Sequence, residues 1–373
     1  MKNNFCILTG DFNNSGDFLI RYKTQQIFNH FLPSASLSFI NRNKPFNDKL
    51  ELINASDFLV IAGGPALFNN FSRAMNLDNI ADDISVPIVF FGVGIGGAHV
   101  DHKDFYFNFT KNSKKILEAS RESGYLSSCR DFKTLLYLKN AGFDNFRFTG
   151  CPVLYEPGKT PQYKRFSYKD IKKIVFSALP PSLNKKIYTQ QIGLIKKLRN
   201  FFNHAKIQVA FHHSKDSGNI IDKYGENSWG GGKSFKLYDG FIKKLDELGI
   251  PRADISGSAE KFIDLYNGSD LHVGYRVHAH VYMTSIGKNS ILIVSDGRGD
   301  AMSEVIFGKS FYAFKECYTK TALGKLYYKR TYNKYLYEEI IRHLDLCNSK
   351  NLYTNITDPS YYNHMRDFFA QFS

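Results

Sequence analysis

The chain has 373 residues, 43% of them hydrophobic and 23% charged, and its 49 basic against 35 acidic residues give a formal net charge of +14. That length exceeds one ordinary core and predicts two domains, and the balance of apolar and charged residues excludes a disordered chain. No run of about 18 apolar residues is present, so no membrane-spanning helix is expected.

Strand and helix signals alternate from the start. Phe5–Thr9 reads as a buried strand, followed by Asn13-Asn14-Ser15-Gly16-Asp17 and a helix from about Phe18. Asp17 there either caps the helix or points into a cleft. Phe58–Ala62 is a second strand, ending in Gly63-Gly64-Pro65. Ile88–Val93 is a third, ending in Gly94-Ile95-Gly96-Gly97. Glycine loops at strand ends let a ligand approach the backbone; two at equivalent places weigh more than one. Asn112–Ser120 reads as helix, Gly124–Ser128 as strand, and Asp131–Asn140 as a helix capped by Asp131. Arg130 before it is either a cleft cation or a salt-bridged loop residue.

A Pro-rich, basic stretch at 156–173 predicts a linker between domains 1–155 and 174–308. From Glu156 to Lys206 twelve basic residues face two acidic ones. Such a segment attracts an anionic partner or is a solvated basic face; no nucleic-acid motif accompanies it, so nucleic acid is not expected. Ile174–Ser177 is a strand, Tyr188–Phe202 an amphipathic helix, and Gln208–Phe211 a strand ending in His212-His213, either of which is a catalytic candidate or a packed histidine. Residues 217–233, with Trp229-Gly230-Gly231-Gly232, read as a mobile loop. Phe241–Leu248 and Ala259–Asn267 are helices. The remainder, 309–373, is a Lys- and Tyr-rich extension with helical patterns at Tyr337–Leu346 and Tyr361–Phe372. The alternation predicts an α/β protein of two Rossmann-like domains facing a cleft, with the final helices crossing back to the first domain. By analogy this is the GT-B arrangement.

The most informative stretch is Ser269–Asp300. It holds a strand, a helix start carrying Arg276, His278 and His280, a second strand, and Asp296-Gly297-Arg298-Gly299. A helix N-terminus offers free N–H groups and partial positive charge, arginine adds a fork for carboxylate or phosphate, and histidine moves a proton near neutral pH. Arg276 and His280 share a helical face, whereas His278 points about 200° from Arg276 once the helix has begun. All three meet only if Arg276 or His278 precedes the first turn. His280 otherwise reads as a buried histidine, and Asp296 with Arg298 as a turn-stabilising ion pair.

These pieces, in this order, resemble the polysaccharide pyruvyl transferase family. The resemblance rests on Asn14–Asp17, Ser56-Asp57, Ile61–Pro65, Gly92–Gly97, Cys129-Arg130-Asp131, Thr149–Pro152 and, most specifically, Gly274-Tyr275-Arg276-Val277-His278-Ala279. It implies a GT-B-like enzyme moving a pyruvyl group from phosphoenolpyruvate to two hydroxyls of a sugar. The product is a cyclic ketal on a bacterial surface polysaccharide or its lipid-linked precursor. It implies roles for Arg276, His278, Asp17, Arg130 and Asp131; Arg276, His278 and Asp17, with His212 from its strand end, are the catalytic candidates. Arg276, His280, Asp296 and Arg298 are the donor-side candidates, and Asn14, Gly64, Gly94 and Arg130 the acceptor-side ones. No metal and no cofactor beyond the co-substrate phosphoenolpyruvate are expected. One departure is Ser177-Ala178-Leu179, where relatives place an arginine; Lys185, Lys186 or Arg298 would replace it. The competing readings are a nucleotide-sugar glycosyltransferase of the same architecture and a non-catalytic sugar-binding relative.

Five scattered cysteines without a Cys-x-x-Cys pair argue against a disulfide framework or zinc site. Met1–Asn4 leads directly into a short strand, too brief for a signal peptide, so a cytoplasmic protein is expected, peripheral on the membrane through its basic 156–206 segment.

Overall fold

The structure, a computed structural model, describes residues 3–10, 13–42, 49–96, 108–179, 185–214, 232–320 and 326–373. Gly97, and the expected loop at 217–233 apart from its last two residues, lie outside the described residues.

The first domain is a parallel four-stranded sheet in the order Ser36–Asn41, Asn4–Thr9, Phe58–Ala62, Ile88–Phe91. A bridge from Val93 to Cys129 extends it to the short parallel pair Ser127–Cys129 and Phe146–Phe148. The second domain is a six-stranded parallel sheet in the order Phe311–Tyr312, Asn289–Val294, Leu271–Gly274, Lys173–Ser177, Lys206–Phe211, Arg252–Asp254. Central strands such as Phe58–Ala62 and Asn289–Val294 contain buried apolar runs, as parallel strands covered on two faces must. The strand Ser36–Asn41, mostly half-buried at the sheet edge, has no such run and gives no signal in the sequence.

The helix expected from Phe18 begins at Ser15 and runs to Phe31, because Asn14 rather than Asp17 caps it; its side chain accepts the Gly16 N–H at 3.3 Å. Asp17 thus falls in the first turn. Asp131 is the expected cap, accepting the Thr134 N–H at 2.7 Å. The Asp296–Gly299 turn is the start of a helix, Gly297–Met302, with Asp296 as its cap. The amphipathic helix spans Lys185–Phe201, and Ile187, Ile192, Leu194, Ile195 and Leu198 on its apolar side are buried in the second domain's core.

The C-terminal helix Tyr361–Phe369 and the turn Ala370–Phe372 cross back onto the first domain. Phe369 packs edge-on against Phe28 at 4.9 Å, and Phe372 against Phe5 at 5.4 Å and Phe58 at 5.2 Å. Asn3 Nδ2 donates to the Phe372 carbonyl at 2.8 Å. Among the described residues no helix is long and apolar enough to cross a membrane.

The sheets present their carboxyl ends to one another, and hydrogen bonds span the cleft. Ser15 N–H donates to the His212 carbonyl at 2.9 Å, Gly257 N–H to the Asn13 carbonyl at 2.7 Å, and Asn13 Nδ2 to the Ser214 carbonyl at 2.8 Å. Lys133, on the first domain's helix Phe132–Asn140, pairs across the cleft with Asp300 at 2.5 Å and Glu304 at 3.0 Å.

Candidate active site

Between the domains lies a cavity of about 100 Å³. From the first domain Asn14, Asp17, Arg42 and Arg130 line it; from the second, His212, Arg276, His278 and Arg298. Seven of the eleven site residues expected from the sequence therefore meet in one place.

Arg276 resolves the angular conflict set by its spacing from His278. It is not in the helix Val277–Ser285 but is its cap residue, with extended backbone at φ −90° and ψ 110°. Freed from the helical screw, its guanidinium turns to the same spot as His278 and donates to Asn14 Oδ1 at 2.7 Å. Burial, reinforced by Arg298 and opposed by Asp17, lowers its pKa to about 10. His278 Nε2 is buried without a hydrogen-bond partner. Burial first, then the charges of Arg130, Arg298 and Arg276, push His278 down to about 3. Burial thus favours the neutral imidazole, whose unpartnered Nε2 can accept a proton.

Asp17 is driven the other way. Burial raises its pKa above the ordinary value, against the opposing pull of Arg42, the Asn14 hydrogen bond, Arg298 and Arg276. Asn14 Nδ2 donates to its Oδ2 at 2.9 Å. The cavity thus holds one carboxyl pushed toward its protonated form and one imidazole held unprotonated, a pairing that marks acid and base roles.

Arg130 is buried, donates Nε–H to Asp131 Oδ2 at 3.3 Å, and leaves Nη2 without a partner. Arg298 forks onto Asp296, Nε to Oδ1 at 3.1 Å and Nη2 to Oδ2 at 2.6 Å. Burial would raise Asp296, but Arg298 and the N–H groups of 298 and 299 outweigh it and hold the carboxyl below its usual range. Asp296 thus orients Arg298 from outside the cavity lining. His212 donates or accepts at Tyr266 Oη, 2.7 Å from its Nε2, and burial holds it well below 6.5.

The glycine loops make room for these groups. Gly94 N–H donates to the Gly64 carbonyl at 2.9 Å, which locks the two loops together. A Cβ on Gly94 would come 2.1 Å from Arg130 Nε, and one on Gly16 2.2 Å from His278 Nδ1. Gly64, at φ +71°, lies beside Arg42 and Asp17, whose nearest atoms would be 3.4 and 3.6 Å from a Cβ there.

His280 is not brought to the cavity. It lies behind the helix start, its Nδ1 2.8 Å from Ser290 Oγ. Of the cations considered in place of an arginine at Ser177, Arg298 lines the cavity, while Lys185 and Lys186 are exposed at the start of their helix. Arg42 escaped the sequence reading. It follows the edge strand Ser36–Asn41, and a cation just past a strand's carboxyl end was the available signal.

This fold and site define a GT-B-like two-domain enzyme. Solved structures that share the fold include S. aureus MnaA in complex with UDP and two UDP-GlcNAc 2-epimerases. S. aureus MnaA has TM-score 0.56 and 10% identity, covering 99% of this chain and 96% of that one. The enzyme from Methanocaldococcus jannaschii, in complex with UDP-GlcNAc and UDP, has TM-score 0.53 and 9% identity, covering 99% of each chain. The enzyme from Neisseria meningitidis, bound to UDP-GlcNAc, has TM-score 0.52 and 9% identity, again covering 99% of each. No curated protein sequence matches the chain. The family model for polysaccharide pyruvyl transferase matches residues 14–297, and the chain belongs to that family.

Proposed function

We propose that this transferase takes its pyruvyl group from phosphoenolpyruvate and closes a cyclic ketal on two hydroxyls of a glycan sugar. The observation that carries this reading is the convergence of Arg42, Arg130, Arg276 and Arg298 on one cavity that also holds the unpartnered His278 Nε2. Phosphoenolpyruvate carries a carboxylate and a phosphate on one carbon and needs guanidinium groups on both. Arg276 and Arg298 hold the donor, with Asp296 fixing the Arg298 fork. Asn14, Arg130 and the backbone of Gly64 and Gly94 face the acceptor.

In this reading Asp17 protonates the donor's methylene carbon, and the double-bond electrons form the new C–H bond. Positive charge develops at the adjacent carbon. One sugar hydroxyl attacks it while His278 Nε2 takes the hydroxyl proton. The carbon–oxygen bond to phosphate then breaks, its electron pair leaving with phosphate. The second hydroxyl closes the ketal and its proton departs on the phosphate. The His278 proton returns to Asp17. A bound dianion also neutralises the surrounding guanidinium charge, which raises the proton affinity of both Asp17 and His278.

The acceptor is a polysaccharide sugar or its lipid-linked precursor. The basic 156–206 segment brings the enzyme to an anionic bilayer from the cytoplasmic side through exposed lysines such as Lys164, Lys172, Lys185 and Lys186. Because the apolar side of the helix Lys185–Phe201 is spent in the core, this contact is electrostatic and salt-sensitive.

The test is thermal stability of the wild type and Arg276→Ala with phosphoenolpyruvate or UDP, since a ligand of the folded state raises Tm by mass action. Stabilisation by phosphoenolpyruvate that vanishes in Arg276→Ala is expected. Stabilisation by UDP alone would replace this donor with a nucleotide sugar.

A further inference from the structure

Ser177 and His272 sit at the centre of a buried hydrogen-bond chain that ends on the cavity wall. Ser177 Oγ accepts the Arg276 N–H at 3.1 Å and lies 2.7 Å from His272 Nε2. His272 Nδ1 lies 2.7 Å from Ser290 Oγ, which is also 2.8 Å from His280 Nδ1. The Ser290 N–H donates in turn to Asn355 Oδ1 at 2.7 Å, anchoring the chain to the C-terminal extension. Ser177 and His272 are fully buried, and a Cβ on Gly274 would come 2.4 Å from Ser177 Oγ, so no side chain larger than glycine fits at 274.

A serine hydroxyl has one proton to give and two lone pairs to accept with. Ser177 Oγ spends this capacity on His272 and on the main chain of Arg276, the residue that caps the helix Val277–Ser285. Arg276 lacks a side-chain cap partner of its own. The orientation of its guanidinium thus depends on where Ser177 holds its backbone.

We propose that Ser177 and His272 are positioning residues that fix Arg276 at the cavity wall. The serine that stands where an arginine was expected does not leave the site short of a donor-binding group. It holds Arg276 in place, and the second cation comes from Arg298. The role assigned to Arg276 rests on the donor reading above, whereas the positioning itself does not.

Two measurements separate these. Hydrogen exchange of the Arg276 amide in the full chain should accelerate about tenfold in Ser177→Ala, the size of one net hydrogen bond. Exchange should stay unchanged in Ser269→Ala, a buried serine outside the chain. Second, Ser177→Ala should raise KM for phosphoenolpyruvate about tenfold, and its loss should not multiply with that of Arg276→Lys. Unchanged Arg276 exchange, or fully multiplicative losses, overturns the proposal. If Ser177→Ala fails to fold, Ser177→Cys, similar in size with a weak donor, takes its place in both measurements under the same criteria. Faster exchange in a protein that phosphoenolpyruvate does not stabilise keeps the positioning role and discards the donor.

Discussion

The two walls of the cleft are built on different plans. The second domain supplies charge from residues at helix starts: Arg276 as a cap, His278 two residues further in, and Arg298 clamped by its own cap Asp296. The first domain also contributes Arg42, Arg130 and Asp17, but its characteristic gift is room. Gly16 and Gly94 stand where a methyl group would collide with His278 and Arg130. One wall is thus specified by what it carries and the other by what it omits. A glycine is as much a site residue here as a histidine.

That contrast can be broken from either side. The largest effect is expected for His278→Asn, which removes the base: kcat should fall about 10²–10⁴-fold with stabilisation by donor retained. A fall in donor binding with kcat intact would move His278 from proton transfer to binding. Gly16→Ala should come next, at about 10²-fold in kcat/KM, since a displacement near 1 Å suffices for that loss. Full activity in this variant would show that the His278 position seen here is not the working one.

A weaker effect should appear in the pH dependence of stability. Burial holds His213, His278 and His280 at about 4, 3 and 3, and also depresses His212 and His272. The unfolded chain titrates its histidines near 6.5 and so binds more protons below that pH. Stability is therefore fully present above about 6.5 and falls as pH drops toward 3. Urea midpoints between pH 7 and 4 should decline steeply, and less so in His278→Asn. The smallest change is expected for Lys133→Met, which unties the cross-cleft pair with Asp300 and Glu304. About 1–2 kcal/mol of stability should be lost, because Lys133 is 25% exposed. Denaturant titration measures it; an unchanged midpoint would mean that the pair does not hold the cleft shut.

The sequence reveals the second domain's wall better than the first's. Arg276 and His278 stand in a short, specific run after a strand, and local spacing even poses the condition that Arg276 precede the helix. Arg42 follows a half-buried edge strand without an apolar run, so its place past a strand end is legible only once that strand is recognised. Ser177 reads as a missing cation because its partners, Arg276 and His272, lie 99 and 95 residues away. Asp17 reads equally well as a cap, and only the Asn14 hydrogen bonds decide between the two. His280 shares a face with Arg276 on a helical wheel, yet Arg276 has left the wheel.

The return of the C-terminus onto the first domain has a consequence for how the protein is made. Phe5, Phe28 and Phe58 are synthesised early, yet the aromatic rings that cover them, Phe369 and Phe372, follow more than 300 residues later. At roughly 5–20 residues per second, the nascent first domain waits many seconds with part of its core uncovered. During translation it is a client for chaperones rather than a finished domain, and a truncation before Phe369 would leave it so permanently.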